Sequence, residues 1–164
     1  MAFYLPKLWA DIRDRLLSDT GEGGLRNADA PLVAAADITN IFARAGGGYP
    51  SIVYNVASAT QTDAFRTATR EVTFDVHVLV EEQPDDGGDP ADIGAKILAR
   101  IAGDWTAQPA GTGPTYGLDR WQPPLSGTGW SASIVEAVDS REEHAEGMYH
   151  WVETFRVLVS KAGA

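Results

Sequence analysis

Val72, Phe74, Val76, Val78 and Val80 occupy every second position of one stretch of this chain. In an extended backbone that spacing puts five apolar side chains on a single face of a sheet. Thr73, Asp75 and His77 take the opposite face, which predicts a half-buried antiparallel strand rather than one enclosed in a parallel sheet. The period then changes: Ile93, Ile97, Leu98 and Ile101 follow at spacings of three and four, the mark of a helix with one apolar stripe. Asp89 is placed to cap its start, Pro90 fits the first helical position, and Gly103 can adopt the left-handed conformation that ends it. The simplest packing lays the isoleucine stripe over the valine row.

Around this pair the remaining elements follow in order. Leu5, Leu8, Trp9, Ile12, Leu16 and Leu17 recur at helical spacing within residues 3–17, with Lys7, Asp11, Arg13, Asp14 and Arg15 on the other side. Residues 18–30 form a loop by composition. Residues 31–45 admit two readings, a helical turn over 32–36 or a short strand over 38–43. Gly46-Gly47-Gly48-Tyr49-Pro50 breaks the chain, and Ile52, Tyr54 and Val56 then alternate in a strand expected to lie beside the valine-rich one. Residues 58–70 are rich in Ser, Thr, Ala and Gln and too long for a tight turn. Either the two strands continue into a ribbon, or this is a loop that a partner orders.

Residues 104–129 form a long Pro/Gly-rich excursion, with a short strand possible at 116–120. Trp130, Ala132, Ile134, Glu136 and Val138 alternate in the next strand, residues 139–147 read as a charged loop, and Tyr149, Trp151, Phe155, Val157 and Val159 share one side of the last strand, interrupted by Glu153. The expectation is a single α+β domain over residues 1–164: a mainly antiparallel four-stranded sheet with two helices on one face, in the order α-(β)-β-β-α-β-β, with extended loops at 18–30, 58–70 and 104–129.

The chain has 164 residues and no cysteine, which excludes disulfides, thiolate metal sites and cysteine nucleophiles. It carries neither a membrane-length apolar run nor a secretory start, and reads as soluble and made inside the cell. A net charge of −10 disfavours gripping nucleic acid but suits a surface that DNA passes without adhering.

Reactive motifs fail on context. Gly46-Gly47-Gly48 precedes a strand instead of leading from one into a helix, Gly111, Gly113 and Gly117 have the wrong spacing, and no Gly-Lys-Ser/Thr occurs. No serine sits in a Gly-x-Ser-x-Gly elbow, and Asp85-Asp86-Gly87-Gly88-Asp89 lacks the order of a calcium loop. The carboxylate pairs Glu81-Glu82, Asp85-Asp86 and Glu142-Glu143 fall in stretches read as solvated loops. His144, Glu146 and His150 are the one set with metal-binding residue types, and they would support a small metal-binding hydrolase, but their spacing matches no helical ligand pair. His77, on the polar face of its strand, is better explained by a cross-strand partner than by catalysis. Neither an enzyme activity nor a cofactor is expected.

The order of elements, with Tyr49-Pro50-Ser51-Ile52-Val53-Tyr54, Arg70-Glu71-Val72-Thr73-Phe74-Asp75-Val76-His77-Val78, the Ala-rich helix over 91–102 and a Tyr/Trp-rich final strand, resembles the tail terminator (tail completion) proteins of long-tailed bacteriophages and gene transfer agents. The resemblance covers residues 5–159 and departs from the usual pattern in the 18–27 loop and the 104–129 excursion. It implies a virion protein, assembled in the host cytoplasm, that forms a ring, commonly of six subunits, at the head-proximal end of the tail tube. Such a ring stops tube polymerisation and meets the neck or head-completion proteins, with DNA passing through its middle. A neck or head-completion protein is the alternative from the same setting. On this reading Phe65, Arg66, Thr67, Arg70, Trp105, Tyr116 and Trp121 are candidate interface residues. Glu81, Glu82, Asp85, Asp86, Glu142 and Glu143 are candidates for an acidic channel lining.

Overall fold

In a computed structural model, residues 5–40, 48–64, 67–84, 87–103, 115–145 and 147–161 are described. Helix α1 (Leu5–Leu17) presents Leu8, Ile12 and Leu16, all fully buried, to the core. Asp11, expected on the solvent side, is buried instead: Lys7 lies 3.0 Å away one turn back, and its Oδ2 accepts the Leu125 N–H at 2.8 Å. A 3-10 turn at Ala35–Asp37 leads into a two-residue strand β1 (Ile38–Thr39), so both readings of residues 31–45 are partly realised, in succession.

Strands β2 (Ser51–Ala64) and β3 (Thr67–Glu81) make one long antiparallel hairpin, paired from Ser51↔Leu79 to Ala64↔Thr67 with a bulge after Val56. Of the two readings of 58–70, an extended loop or a continuation of both strands into a ribbon, the described residues 58–64 and 67–70 take the second. Threonine suits a strand, but the stretch carries no apolar alternation in its sequence, so the period of two is not visible there. Helix α2 (Pro90–Ala102) begins as expected, with the Asp89 carboxylate accepting the Ala91 N–H at 3.0 Å and Pro90 in the first turn.

The sheet differs from the four antiparallel strands expected. Among the described residues it has six: β1-β2-β3-β6 in order, with β4 (Trp130–Ala132) and β5 (Glu136–Ala145) both pairing β6 (Met148–Lys161). β1 runs parallel to β2, and the other pairs are antiparallel. β4 and β5 occupy one lane along β6, with a break at residues 133–135 where Ser133 N–H donates to Leu158 and Val135 N–H to Trp121. Residues 139–145, expected as a charged loop, are strand. Charge on both faces of an edge strand hides the period of two. Residues 116–120 are turns rather than a strand, fastened by Leu118 N–H to the Ile101 carbonyl at 2.7 Å.

The helices lie on the face carrying Val72, Phe74, Val76, Val78 and Val80, all buried, as the alternation requires. Phe74 stacks on Phe155 with centroids 5.5 Å apart, and Trp9 meets Phe74 edge-on at 6.1 Å. Gly94 of α2 rests on the Trp151 ring, where a Cβ would collide. Arg100 of α2 pairs with Asp19, which also accepts the Leu25 N–H, so one buried carboxylate ties the loop after α1 to the second helix.

Candidate functional site

Among the described residues no helix lies on the second face of the sheet, and the register fixes which residues it carries. Odd positions of β3, even positions of β6 and the residues of β5 opposite them line up in rows: Ser51, Leu79, His150 and Glu143; then Val53, His77, Val152 and Arg141; then Asn55, Asp75, Thr154 and Asp139. His77 has the cross-strand partner expected of it, but on the diagonal. Its Nδ1 lies 2.8 Å from Nε2 of His150, and His150 Nδ1 lies 3.5 Å from a Glu143 oxygen.

Beside this pair Arg141 is the hub. Its Nε donates to Glu143 at 3.0 Å, its Nη1 donates to Thr154 Oγ1 at 3.3 Å, and it lies 3.6 Å from Asp75 and 3.7 Å from Asp139. Thr154 Oγ1 in turn donates to Asp75 at 2.7 Å. The Glu143 hydrogen bond raises the Arg141 pKa, and the same bond lowers that of Glu143. Burial pushes both imidazoles below the ordinary histidine value. For His77 the neighbouring His150 adds to the effect and Asp75 and Glu143 oppose it, and for His150 Glu143 opposes it.

Further along the same face, Glu71, Ser133, Ile134, Glu136, Arg156 and Leu158 line a groove, with Ile134 and Leu158 each about two-fifths exposed. Arg156 donates to Glu136 at 2.7 Å across its rim. A second groove, between the loop before β2 and the start of α2, is lined by Pro31, Leu32, Tyr49, Pro50, Val80, Glu81, Pro84 and Ile93. The Tyr49–Pro50 bond beside it is cis.

The residues singled out in the sequence fall in different places. Phe65, Arg66, Trp105, Asp85 and Asp86 lie outside the described residues. Thr67 opens β3, opposite Ala64. Arg70 is buried on β3, its Nη1 donating to the Thr69 carbonyl at 3.4 Å. Tyr116 takes the Arg100 guanidinium on its ring, 3.3 Å from the centroid, and Trp121 lies half-buried against the core with Arg15 5.6 Å from its ring. These two aromatics are engaged within their own chain.

Glu142 and Glu143 are exposed but stand on β5, not in a loop. The register brings the two acidic runs to one end of the sheet: Glu81 pairs with Met148, Met148 with Ala145, and Glu82 N–H donates to the Gly147 carbonyl at 3.0 Å. Of the residues His144, Glu146 and His150, Glu146 and the His144 side chain lie outside what is described. Among the described residues no group of three metal-ligating side chains converges. Sequence reasoning missed Arg141 as a hub, because its partners come from three strands whose register a single sequence does not state.

No family model matches the chain, and no curated protein matches it significantly in sequence. The solved structures do include a match. A chain from the virion of a native gene transfer agent particle aligns over 93% of this chain and 94% of its own length, with a TM-score of 0.57 and 11% sequence identity. The two chains share their fold. At that identity few side chains correspond, so the likeness rests on the path of the backbone over nearly the whole of both.

Proposed function

We propose that this chain is a structural protein of a phage-like virion, a tail terminator that forms a ring at the head-proximal end of the tail tube. The observation that carries the reading is the fold shared end to end with a chain of a gene transfer agent virion. The resemblance read from the sequence, carried by the size of the chain and its Tyr-Pro before an alternating strand, points the same way. In this role the ring, six subunits on the family pattern, stops tube growth on one face and receives the neck or head-completion protein on the other. DNA crosses the middle without being gripped.

The sheet supplies the means. Beyond the two residues that β1 covers, the outer edge of β2 has no strand partner among the described residues, and neither does the outer edge of the β4–β5 lane. Two different edges on one subunit suit head-to-tail contacts, which close into a ring when the rotation permits. The acidic end formed by Glu81, Glu82, Glu142 and Glu143 is the proposed channel lining, because like charge keeps a phosphate backbone moving.

Negative-stain images of the purified protein, alone and mixed with tube protein, test this. Rings, and tubes capped at one end, are the expected result. A species that stays monomeric at every concentration and leaves tubes uncapped would refute it, and binding to filled heads in place of tubes would move the protein to the neck.

A further inference from the structure

We infer that His77 and His150 form a pH-sensitive clasp across the second face of the sheet, closed when the pair holds no more than one added proton and opened by the second. The inference rests on the ring contact and stands apart from the virion reading. A separation of 2.8 Å between Nδ1 of His77 and Nε2 of His150 is a hydrogen bond, and it requires one of the two nitrogens to keep its lone pair. Glu143, 3.5 Å from Nδ1 of His150, favours the tautomer with its proton there, leaving Nε2 to accept from His77. One extra proton is absorbed without breaking the chain. It makes His150 a donor to both neighbours, with His77 accepting. A second proton sets two N–H groups head to head, between rings whose centroids are 5.0 Å apart.

The surroundings decide how strongly that second proton is refused. His77 is only 8% exposed, and the row holding it is packed by Val53 and Val152, both buried. Among the described residues the charged groups on this face beside the pair are Asp75 and Glu81 on β3 and Arg141, Glu143 and Asp139 on β5. β2 contributes Ser51, Val53 and Asn55, none of them ionisable. The carboxylates ease the first protonation, while Arg141 and the first imidazolium oppose the next. Since the folded rings bind protons less readily than free histidine, stability is complete above the ordinary value near 6.5 and is lost as pH falls through it, levelling off only below the depressed folded values.

Urea unfolding of the full chain between pH 8 and pH 5, beside the His77→Asn/His150→Gln variant, reads this directly. The wild-type folding constant should fall by about tenfold per pH unit for each proton excluded, and the variant should be flat by comparison, since Glu153 and the other carboxylates are common to both. Nitrogen-edited NMR of the imidazoles in the wild-type chain gives an answer even where the variant does not fold. Two coupled titrations, one ring staying neutral below the ordinary histidine range, are expected. Two independent midpoints near 6.5, or equal pH slopes for variant and wild type, would overturn the clasp.

Discussion

Glu153 occupies the side of β6 that carries Trp151, Phe155 and Val157, opposite the buried Val76, and is half-buried with Ser140 Oγ donating to it at 2.7 Å. Burial raises its pKa, so the folded state disfavours its charge. The cost is present above the raised value and relieved as pH falls through it. Glu153→Gln should therefore shift the urea midpoint upward at pH 7 and lose that advantage in acid. Gly94 is an opposite case, a small residue demanded by a large one. A methyl group there would press on Trp151, so Gly94→Ala should destabilise by about 1–3 kcal/mol in spite of better helix propensity. Asp19 is held by Arg100 and the Leu25 N–H. Asp19→Ala leaves a mostly buried guanidinium without that carboxylate and should cost on the order of 3 kcal/mol by thermal or urea unfolding.

Among the elements, β3 has neighbours on both sides over residues 69–79, while β2 beyond Tyr54 is flanked by β3 alone among the described residues. Amide hydrogen exchange should run slowest at Phe74–Val78 and fastest toward the hairpin tip. Equal protection of the two strands would contradict the pairing as described. This contrast also explains what could be read in advance. β3, α1 and α2 were legible because each buries one face and so carries the period of its structure. The strand over 139–145 was not, since a charged edge needs no apolar alternation, and over 58–64 a stretch without that alternation left ribbon and loop both open. β1 is two residues long and parallel, pinned by Ile38 against Ile52, and no pattern of two residues can announce itself. The His77–His150 contact needed the register, which brings together residues on strands far apart in the chain.

At the scale of the whole molecule, one hydrophobic cluster joins α1, α2, the strands and the turns around Leu118 and Leu125. The turn at Gly117 lies directly against Gly103, both with positive φ, and a Cβ on Gly117 would strike the Gly103 backbone. Leu118 and Asp119 then bond back to the carbonyls of Ile101 and Ala102. The chain thus departs from the end of α2 and returns to the same point before the remaining strands begin. Because Gly117 sits on the Gly103 backbone at positive φ, Gly117→Ala should spring that closure and lower the melting temperature by several degrees, while a variant melting with the original would contradict the close approach.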